Sequence, residues 1–271
     1  MERDTAQRFL ALHQERLPLL LPNVWDAGSA KLVASLGFDA LATTSSGHAA
    51  TLGRLDGSVT REEALAHAAM IVAATGLPVS ADLENGFADD PDGVAETVEL
   101  ALATGLAGCS IEDFTRDADD PIYELDAAQA RVAAAVKAAH RGPRTLVLTA
   151  RAENHVHGRS DLDDTIARLR AYEEAGADVL FAPGLSSAQD IARVRESVSR
   201  PVNVLARPGT PSISQLGDLG VNRVSVGGSF AFAALDELRA AAVELRDRGS
   251  YSFLERASSG LRAVREAFEQ S

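Results

Sequence analysis

The sequence predicts a (β/α)8 barrel followed by one extra C-terminal helix, and three observations lead to this fold class. Eight short apolar segments alternate with capped helical segments along the 271 residues. Each apolar segment runs into a polar or glycine-bearing loop, as the strands of such barrels do. The G-x-G-x-x-G turn of a doubly wound sheet is missing after the first strand, where the chain has Trp25-Asp26-Ala27-Gly28-Ser29. We therefore expect one domain over residues 1–271, with no dividing linker.

The predicted elements follow one another at the spacing of βα units. A leading helix over 1–17 ends at Pro18, which cannot continue a helix. Thr60 and Glu63 form a capping box, and Asp90-Pro91 opens a helix because proline suits its first turn. The predicted strands are 19–24 (interrupted by Pro22), 40–44, 78–82, 107–111, 145–150, 179–182, 201–206 and 223–226. The later predicted helices are 27–36, 60–75, 90–105, 126–142 (capped by Asp126), 161–175, 187–198, 212–219, 230–247 and 252–268.

The composition limits the class of function. Asp and Glu outnumber Lys and Arg by 39 to 26, which gives a formal net charge of −13. We therefore expect neither nucleic acid nor an anionic membrane as a partner, because both favour basic proteins. No apolar run reaches the length of a membrane span, and the N-terminus lacks the apolar core of a signal peptide. The single cysteine, Cys109, allows no intrachain disulfide and favours a cytoplasmic protein.

Charged side chains stand at the ends of three consecutive predicted strands. Asp82 and Glu84 follow the third strand, Glu112 and Asp113 the fourth, and Arg151 the fifth. The carboxyl ends of barrel strands meet at one mouth, so these groups should converge there. Several carboxylates repel one another unless a cation lies among them, and their oxygens suit Mg²⁺. The alternatives are solvated strand ends or helix caps for the acids, and a structural salt bridge to Glu112 or a neighbouring glutamate for Arg151.

Small and aromatic residues complete the predicted mouth. The segment Ser45-Ser46-Gly47-His48 is expected to be a loop whose backbone N–H groups hold an oxyanion or enolate, with a tight turn that needs glycine as the alternative. Trp25 and Asn203 also lie at strand ends. Zinc is less favoured than Mg²⁺, because the six histidines show no ligand spacing and Cys109 has no partner.

Taken together, these segments resemble the isocitrate lyase/phosphoenolpyruvate mutase superfamily over nearly the whole chain. The resemblance rests on the order and spacing of several motifs rather than on any single one. These motifs are Asn23-Val24-Trp25-Asp26-Ala27, Thr44-Ser45-Ser46-Gly47, Leu52-Gly53 with Asp56, Asp82 with Glu84-Asn85-Gly86, Ile111-Glu112-Asp113, Ala150-Arg151, Tyr172-Glu173-Glu174-Ala175-Gly176-Ala177-Asp178, and Arg223-Val224-Ser225-Val226-Gly227.

The resemblance implies a Mg²⁺-dependent lyase, with Mn²⁺ as the alternative ion. Its substrate would be a small 2-oxo acid or a substituted malate or succinate, which reacts through an enolate by carbon–carbon cleavage or decarboxylation. In this reading Asp82 ligates the metal, and Glu84 and Glu112 hold it, often through water. Asp56 would lie near both the metal and the substrate.

The resemblance also assigns the remaining site residues. The backbone of Gly47 and His48 would lie against the substrate oxygens, and Arg151 would take the substrate carboxylate. The predicted substrate-binding residues are Trp25, Ser45, Ser46, Gly47, His48, Arg151 and Asn203. The predicted catalytic residues are Asp56, Glu112, Arg151, Tyr123 and His48.

The loop after the fourth strand departs from the family pattern. Lyases of the family carry a Lys-Lys-Cys-Gly segment there, with the cysteine as acid/base, but residues 113–125 contain neither Lys nor Cys. Cys109 lies within the strand and is a poor substitute. Isocitrate and methylisocitrate cleavage are therefore disfavoured, and Tyr123, His48 and a metal-bound water are all open as proton carriers. Two alternatives also stay open: phosphorus–carbon chemistry of the phosphonopyruvate hydrolase or mutase type, and a non-catalytic metabolite-binding barrel.

Members of the family commonly close a flexible loop over the site and exchange a C-terminal helix between subunits. Here the loop would be 113–125 and the helix 252–268. Leu254, Leu261 and Phe268 recur near helical spacing and give that helix an apolar stripe. We expect a homodimer or homotetramer, with packing of the helix on its own barrel as the alternative.

Overall fold

Nine parallel strands curl into one barrel in the computed structural model, which describes residues 5–142 and 144–269. The predicted barrel is therefore confirmed. The strands are β1 (Leu19–Leu21), β2 (Asn23–Val24), β3 (Leu41–Thr43), β4 (Val79–Asp82), β5 (Gly108–Glu112), β6 (Val147–Arg151), β7 (Val179–Phe181), β8 (Val202–Leu205) and β9 (Arg223–Ser225).

The barrel closes through a single interrupted segment. β1 pairs with β9, with Leu19 opposite Arg223, whereas β2 pairs with β3, with Asn23 opposite Ala42. Pro22 separates β1 from β2 because it has no N–H to donate to a neighbouring strand, although its carbonyl still accepts from the Ala42 N–H at 2.9 Å. The eight predicted strands thus become nine among the described residues, since the first one is divided at Pro22.

Helices surround the barrel, and all except the one at Ser45–Thr51 occur in the order that the sequence predicts. They are α1 (Thr5–Leu12), α2 (Ala27–Ala34), α3 (Ser45–Thr51), α4 (Arg61–Ala74), α5 (Pro91–Leu102), α6 (Leu125–Ala139), α7 (Leu162–Glu174), α8 (Ala188–Ser197), α9 (Ile213–Asp218), α10 (Ser229–Arg248) and α11 (Leu254–Glu269). The capping box of Thr60 and Glu63 is present at the start of α4, and Pro91 opens α5 as predicted.

Three local predictions are wrong. Residues 45–51 form the helix α3 and not a loop, because the Thr44 hydroxyl caps the Gly47 N–H. The leading helix ends at Leu12, well before Pro18, and its first four predicted residues lie outside the described part. Asp126 does not cap α6, whose N-cap position is Glu124 without a side-chain hydrogen bond.

The amino-terminal end of the barrel is plugged by α1 and the turn after it. Phe9 and His13 are fully buried there, and the His13 Nδ1 lies 2.9 Å from the Phe9 carbonyl oxygen. Gly108 in β5 makes room for the plug, because a Cβ at this position would lie 3.0 Å from the Phe9 ring and 2.7 Å from the Val147 carbonyl oxygen. The plug leaves the opposite, carboxyl end of the barrel as the open mouth.

The two C-terminal helices leave much of their apolar surface uncovered. Leu238 on α10 is 65% exposed and Leu261 on α11 is 53% exposed. The end of α11 lies on α2 of the same chain, where the Phe268 ring is 5.8 Å from the Lys31 ammonium. Exchange of this helix with a partner subunit stays a prediction. In the described part of the chain, no helix is both long and apolar enough to cross a membrane.

The buried plug predicts a pH-dependent stability. Burial, followed by the charge of Arg223, lowers the pKa of His13 to about 3. The unfolded chain binds a proton at this histidine near pH 6.5, whereas the folded chain does not. The free energy of unfolding should therefore fall as the pH drops below that value, by about 2 kcal/mol between pH 8 and pH 5 from this group alone.

Urea denaturation of the wild type and of His13→Gln at a series of pH values measures this effect. Between pH 8 and pH 5, the free energy of unfolding of the variant should fall less than that of the wild type, because the variant lacks the contribution of His13. Equal slopes in the two proteins would contradict a neutral buried His13.

Candidate active site

A single guanidinium lies among three carboxylates at the barrel mouth. Arg151, the last residue of β6, contacts Asp82 at 2.8 Å, Glu112 at 3.0 Å and Glu153 at 2.8 Å. The sheet register produces this cluster, because Glu112 of β5 lies directly opposite Arg151. The alternative of a structural salt bridge for Arg151 is thus observed, and it extends to a third acid.

Burial raises the pKa of two acids in this cluster. It raises the pKa of Glu112 well above its usual value, with Arg151 acting in the opposite direction. Burial likewise raises the pKa of Glu153. Contacts with Glu112, Glu153 and Asp82 outweigh burial at Arg151 and raise its pKa. The arginine is therefore charged, and its attraction offsets the repulsion among the acids that it contacts.

Asp113 turns away from the mouth and has a structural role. Its carboxylate accepts hydrogen bonds from the Glu153 N–H at 2.7 Å, the Tyr172 hydroxyl at 2.5 Å and the Arg168 guanidinium at 3.1 Å. It is only 2% exposed. Of the adjacent acids Glu112 and Asp113, the first therefore faces the mouth and the second fixes the backbone that carries Glu153.

Glu84 is held in a left-handed conformation with φ of 48°. One of its oxygens lies 3.3 Å from the Arg116 guanidinium, which also donates to the Gly57 carbonyl. Its other oxygen, Oε1, is buried without a hydrogen-bond partner in the described structure. Burial, and then the charge of Asp82, raises the pKa of Glu84 to about 7. Arg116 lies in the 113–125 loop and was not among the predicted site residues, because nothing in the loop's sequence indicates its direction.

Ser45 connects Asp82 to the rim of the mouth. The Ser45 hydroxyl donates to Asp82 Oδ2 at 2.9 Å, and its N–H approaches the same oxygen at 3.3 Å. Asp56, on the exposed loop after α3, lines the same cavity as Ser45 and Asp82. The predicted residues Asp56, Ser45 and Asp82 are therefore brought together.

Gly47 and His48 do not present free backbone donors to the mouth. The Gly47 N–H donates to the Thr44 hydroxyl at 3.3 Å, and the His48 N–H donates to the Thr44 carbonyl at 3.0 Å. Both groups are used within α3, so the expected oxyanion-binding loop is absent from this part of the described structure. Glycine is needed at position 47 for packing, since a Cβ there would lie 2.6 Å from the Thr44 side chain and 3.1 Å from the Trp25 Cβ.

The two side chains that the sequence predicts as proton carriers, His48 and Tyr123, have other partners in the structure. The His48 ring stacks on His67 with 3.8 Å between their centroids. The Tyr123 hydroxyl donates to Asp89 at 2.7 Å. Cys109 is fully buried, and burial raises its pKa to about 12, so its thiol stays protonated.

A cavity of about 150 Å³ opens at the mouth and extends into the barrel. Arg151, Asp82 and Asp56 line its upper part, while Asn203 and Arg223 line it further in. The full lining also includes Leu21, Asn23, Ala42, Thr43, Thr44, Ser45, Ser46, Ser80, Ala81, Ser110, Phe181, Pro183, Leu205, Ser225, Gly227 and Gly228. Of the predicted site residues, the described structure places six outside this lining: Trp25, Gly47, His48, Tyr123, Glu84 and Glu112.

The acids at the mouth fit a hydrated divalent cation better than direct chelation by several side chains. Among the described residues, no three Asp, Glu, His or Cys side chains are arranged to hold one ion together. Mg²⁺ often takes one or two carboxylates and keeps several waters, and the partnerless Glu84 Oε1 is an acceptor that such a water would satisfy. Acidic side chains also outnumber basic ones at the mouth, where the guanidinium groups of Arg116 and Arg151 lie among the carboxyl groups of Asp56, Asp82, Glu84, Glu112 and Glu153.

Comparison with known proteins places this geometry in context. The family model described as phosphoenolpyruvate phosphomutase matches residues 9–246. The chain is 32% identical to a 2-methylisocitrate lyase from Halalkalibacterium halodurans over 206 residues, which cover 74% of this chain and 67% of that enzyme.

Solved structures resemble this chain over nearly its whole length. The chain superposes on a Burkholderia cenocepacia protein with a TM-score of 0.94 and 52% identity, covering 97% of this chain and 95% of that one. It superposes on an oxaloacetate acetylhydrolase, solved with the inhibitor 3,3-difluorooxalacetate, with a TM-score of 0.86 and 25% identity, covering 98% and 94%.

The cluster around Arg151 predicts a large loss of stability when its cation is removed. Arg151→Met would leave Asp82, Glu112 and Glu153 close together without their shared partner. We expect the free energy of unfolding to fall by about 3–5 kcal/mol at pH 8, as in other buried ion pairs that lose one member.

Urea denaturation measures this loss, with Arg239→Met as the matched control. Arg239 pairs with Asp236 on the exposed surface of α10, where an ion pair contributes little. A loss at Arg151 as small as that of the control would show that the three acids do not depend on this arginine.

Proposed function

The chain belongs to the isocitrate lyase/phosphoenolpyruvate mutase superfamily, and on that premise we propose that it is a Mg²⁺-dependent carbon–carbon lyase. The superfamily contains carbon–carbon lyases and mutases, and this chain is an enzyme of that kind. We propose as substrate a small 2-oxo acid or a substituted malate or succinate. The observation that carries the proposal is the cluster of Asp82, Glu112 and Glu153 around Arg151 at the mouth of a polar cavity that Asp82 and Arg151 line.

Three acids would hold the metal, in the roles that the resemblance implies. Asp82 would be the direct ligand, and Glu84 and Glu112 would hold the ion through water. Bound Mg²⁺ would polarise the 2-oxo carbonyl and stabilise the negative charge that develops on its oxygen. Ser45 orients Asp82 by donating to its Oδ2, and Arg116 orients Glu84.

Arg151 has a double role in this proposal. Its guanidinium keeps Asp82 and Glu112 in place, and its contacts with them and with Glu153 occupy it in the free protein. A substrate carboxylate at the mouth would therefore bind Arg151 only if one of these pairs opens. The pair with Asp82 is the one that we expect to open. Binding of Mg²⁺ to Asp82 would weaken the attraction of this carboxylate to Arg151.

The proton carrier that the geometry favours is a water held at the mouth. Tyr123 and His48 make other contacts and lie outside the cavity lining, whereas Asp56 lines the cavity beside Ser45. Asp56 would orient such a water in the upper part of the cavity. This arrangement replaces the loop cysteine that the family's lyases use.

Metal-dependent binding of oxalate, which mimics the enolate of pyruvate, tests the proposal. Calorimetric titration of the wild type with oxalate should show binding in the presence of Mg²⁺ and none after its removal by a chelator. Asp82→Ala should weaken binding at least about 100-fold, more than the loss of an outer-shell partner does. The control variant is Asp92→Ala, which removes an exposed acid on α5.

Two results would contradict the proposal: oxalate binding that is independent of the metal, and Mg²⁺-dependent binding that survives in Asp82→Ala.

Turnover assays with small 2-oxo and 2-hydroxy acids then identify the bond that breaks. Release of phosphate from phosphonopyruvate would favour phosphorus–carbon chemistry instead. Turnover abolished by Glu112→Gln would exclude a non-catalytic barrel.

We also propose that the enzyme is a homodimer or homotetramer. The uncovered apolar side chains of α10 and α11, such as Leu238 and Leu261, support this proposal. Light scattering should give at least twice the chain mass of 28.5 kDa, and Leu261→Asp should shift the population towards the monomer. A monomeric mass for the wild type would refute the proposal.

A further inference from the structure

The middle of the barrel is hollow and polar. In many barrels of this class bulky branched side chains fill the interior. Here the small residues Ala42, Ser80 and Ser110 line one part of the cavity, and Arg223 and Asn203 line another. This arrangement leaves an open space next to a guanidinium group that is only 3% exposed.

Among the residues that the structure describes, Arg223 is paired only with neutral groups. Its Nε donates to Asn203 Oδ1 at 2.9 Å, its Nη2 donates to Thr149 Oγ1 at 3.1 Å, and its Nη1 lies 3.3 Å from His13 Nε2. His13 is uncharged, because its pKa is about 3. Its Nδ1 donates to the Phe9 carbonyl, so its Nε2 accepts from Arg223. Within residues 5–142 and 144–269, no carboxylate pairs with Arg223.

A buried charge without a counter-charge is costly, so it calls for an explanation. A guanidinium has five N–H donors, and the three contacts just described use three of them. The remaining donors belong to a side chain that lines the cavity. Burial, and then repulsion by Arg151, lowers the pKa of Arg223 to about 9. An anion in the cavity would satisfy the free donors and compensate this charge.

The distance between the two arginines limits the size of such an anion. Arg223 contacts Thr149, which lies two residues before Arg151 on β6. Two residues of a strand span about 7 Å, so the guanidinium of Arg223 lies roughly that far below the mouth. The two carboxylates of a four-carbon diacid, each with a hydrogen bond of about 2.8 Å, can cover this separation.

We propose that Arg223, oriented by Asn203, binds a second carboxylate of the substrate at the floor of the cavity, and so makes the enzyme specific for dicarboxylates. This inference rests on the proposed function, which places the other end of the substrate among the acids at the mouth. Arg223 and Arg151 thus have different tasks. Arg151 holds the acids of the mouth, and Arg223 selects substrates whose second carboxylate reaches the floor of the cavity.

Two ligands of different length separate the floor from the mouth. Oxalate is short and engages the mouth alone, whereas 3,3-difluorooxaloacetate carries a second carboxylate that reaches Arg223. Calorimetry with Mg²⁺ should show that the wild type binds both. In Arg223→Met the longer ligand should bind at least about 30-fold more weakly, as expected for the loss of a buried charge partner, while oxalate should change by less than about threefold. Arg239→Met should affect neither ligand.

Thermal unfolding without ligand gives a readout that is independent of the mouth. Without ligand, Arg223→Met should be at least as stable as the wild type, because the variant no longer buries an unpaired cation. The rise in Tm that 3,3-difluorooxaloacetate causes in the wild type should be lost. If Arg223→Met does not fold, Arg223→Lys serves instead: it keeps the charge but lacks the planar fork, and it should weaken the longer ligand selectively.

The outcomes distinguish this inference from the proposed function. A wild type that binds oxalate but not the longer ligand would overturn the floor site and leave the proposed function standing. Equal weakening of both ligands in the Arg223 variants, or no weakening of either, would also overturn it. A wild type that binds neither ligand would refute the proposed function, and the inference with it.

Discussion

The shared contact of Arg151 with Asp82, Glu112 and Glu153 is the constraint on which the mouth depends. The charge of this guanidinium offsets the repulsion among the three acids, and the sheet brings them together because β4, β5 and β6 are neighbours in register. The buried carboxylate of Asp113 then fixes the backbone of Glu153 from behind. Local sequence, strand order and charge balance therefore together determine the positions of the acids around Arg151.

The cavity has two arginines with opposite electrostatic situations, and this difference connects structure to function. Arg151 at the mouth is surrounded by acids, whereas Arg223 at the floor is surrounded by neutral groups. A cation is attracted to the first region and an anion to the second. The substrate that we propose, a small dianion with a metal at one end, would fit both regions at once.

The sequence predicts most of the fold and much of the mouth, because both follow from local signals. Apolar segments that are followed by charged residues indicate the strands, and the carboxyl ends of barrel strands meet at one mouth. The helix at Ser45 was missed because its cap and its contact with Asp82 depend on packing that no short pattern encodes. Arg223 was missed as a site residue because it opens an apolar strand, and only the register shows that it lines the cavity. The contacts of Tyr123 and His48 likewise come from distant segments.

The most direct test of this account is a crystal structure of the protein grown with Mg²⁺ and oxalate. The account predicts octahedral density about 2.1 Å from a carboxylate oxygen of Asp82, with oxalate on the same ion and water between the ion and Glu84 or Glu112. An ion bound elsewhere, or oxalate bound without an ion at the mouth, would contradict the central claim that these acids form a metal site for an anionic substrate.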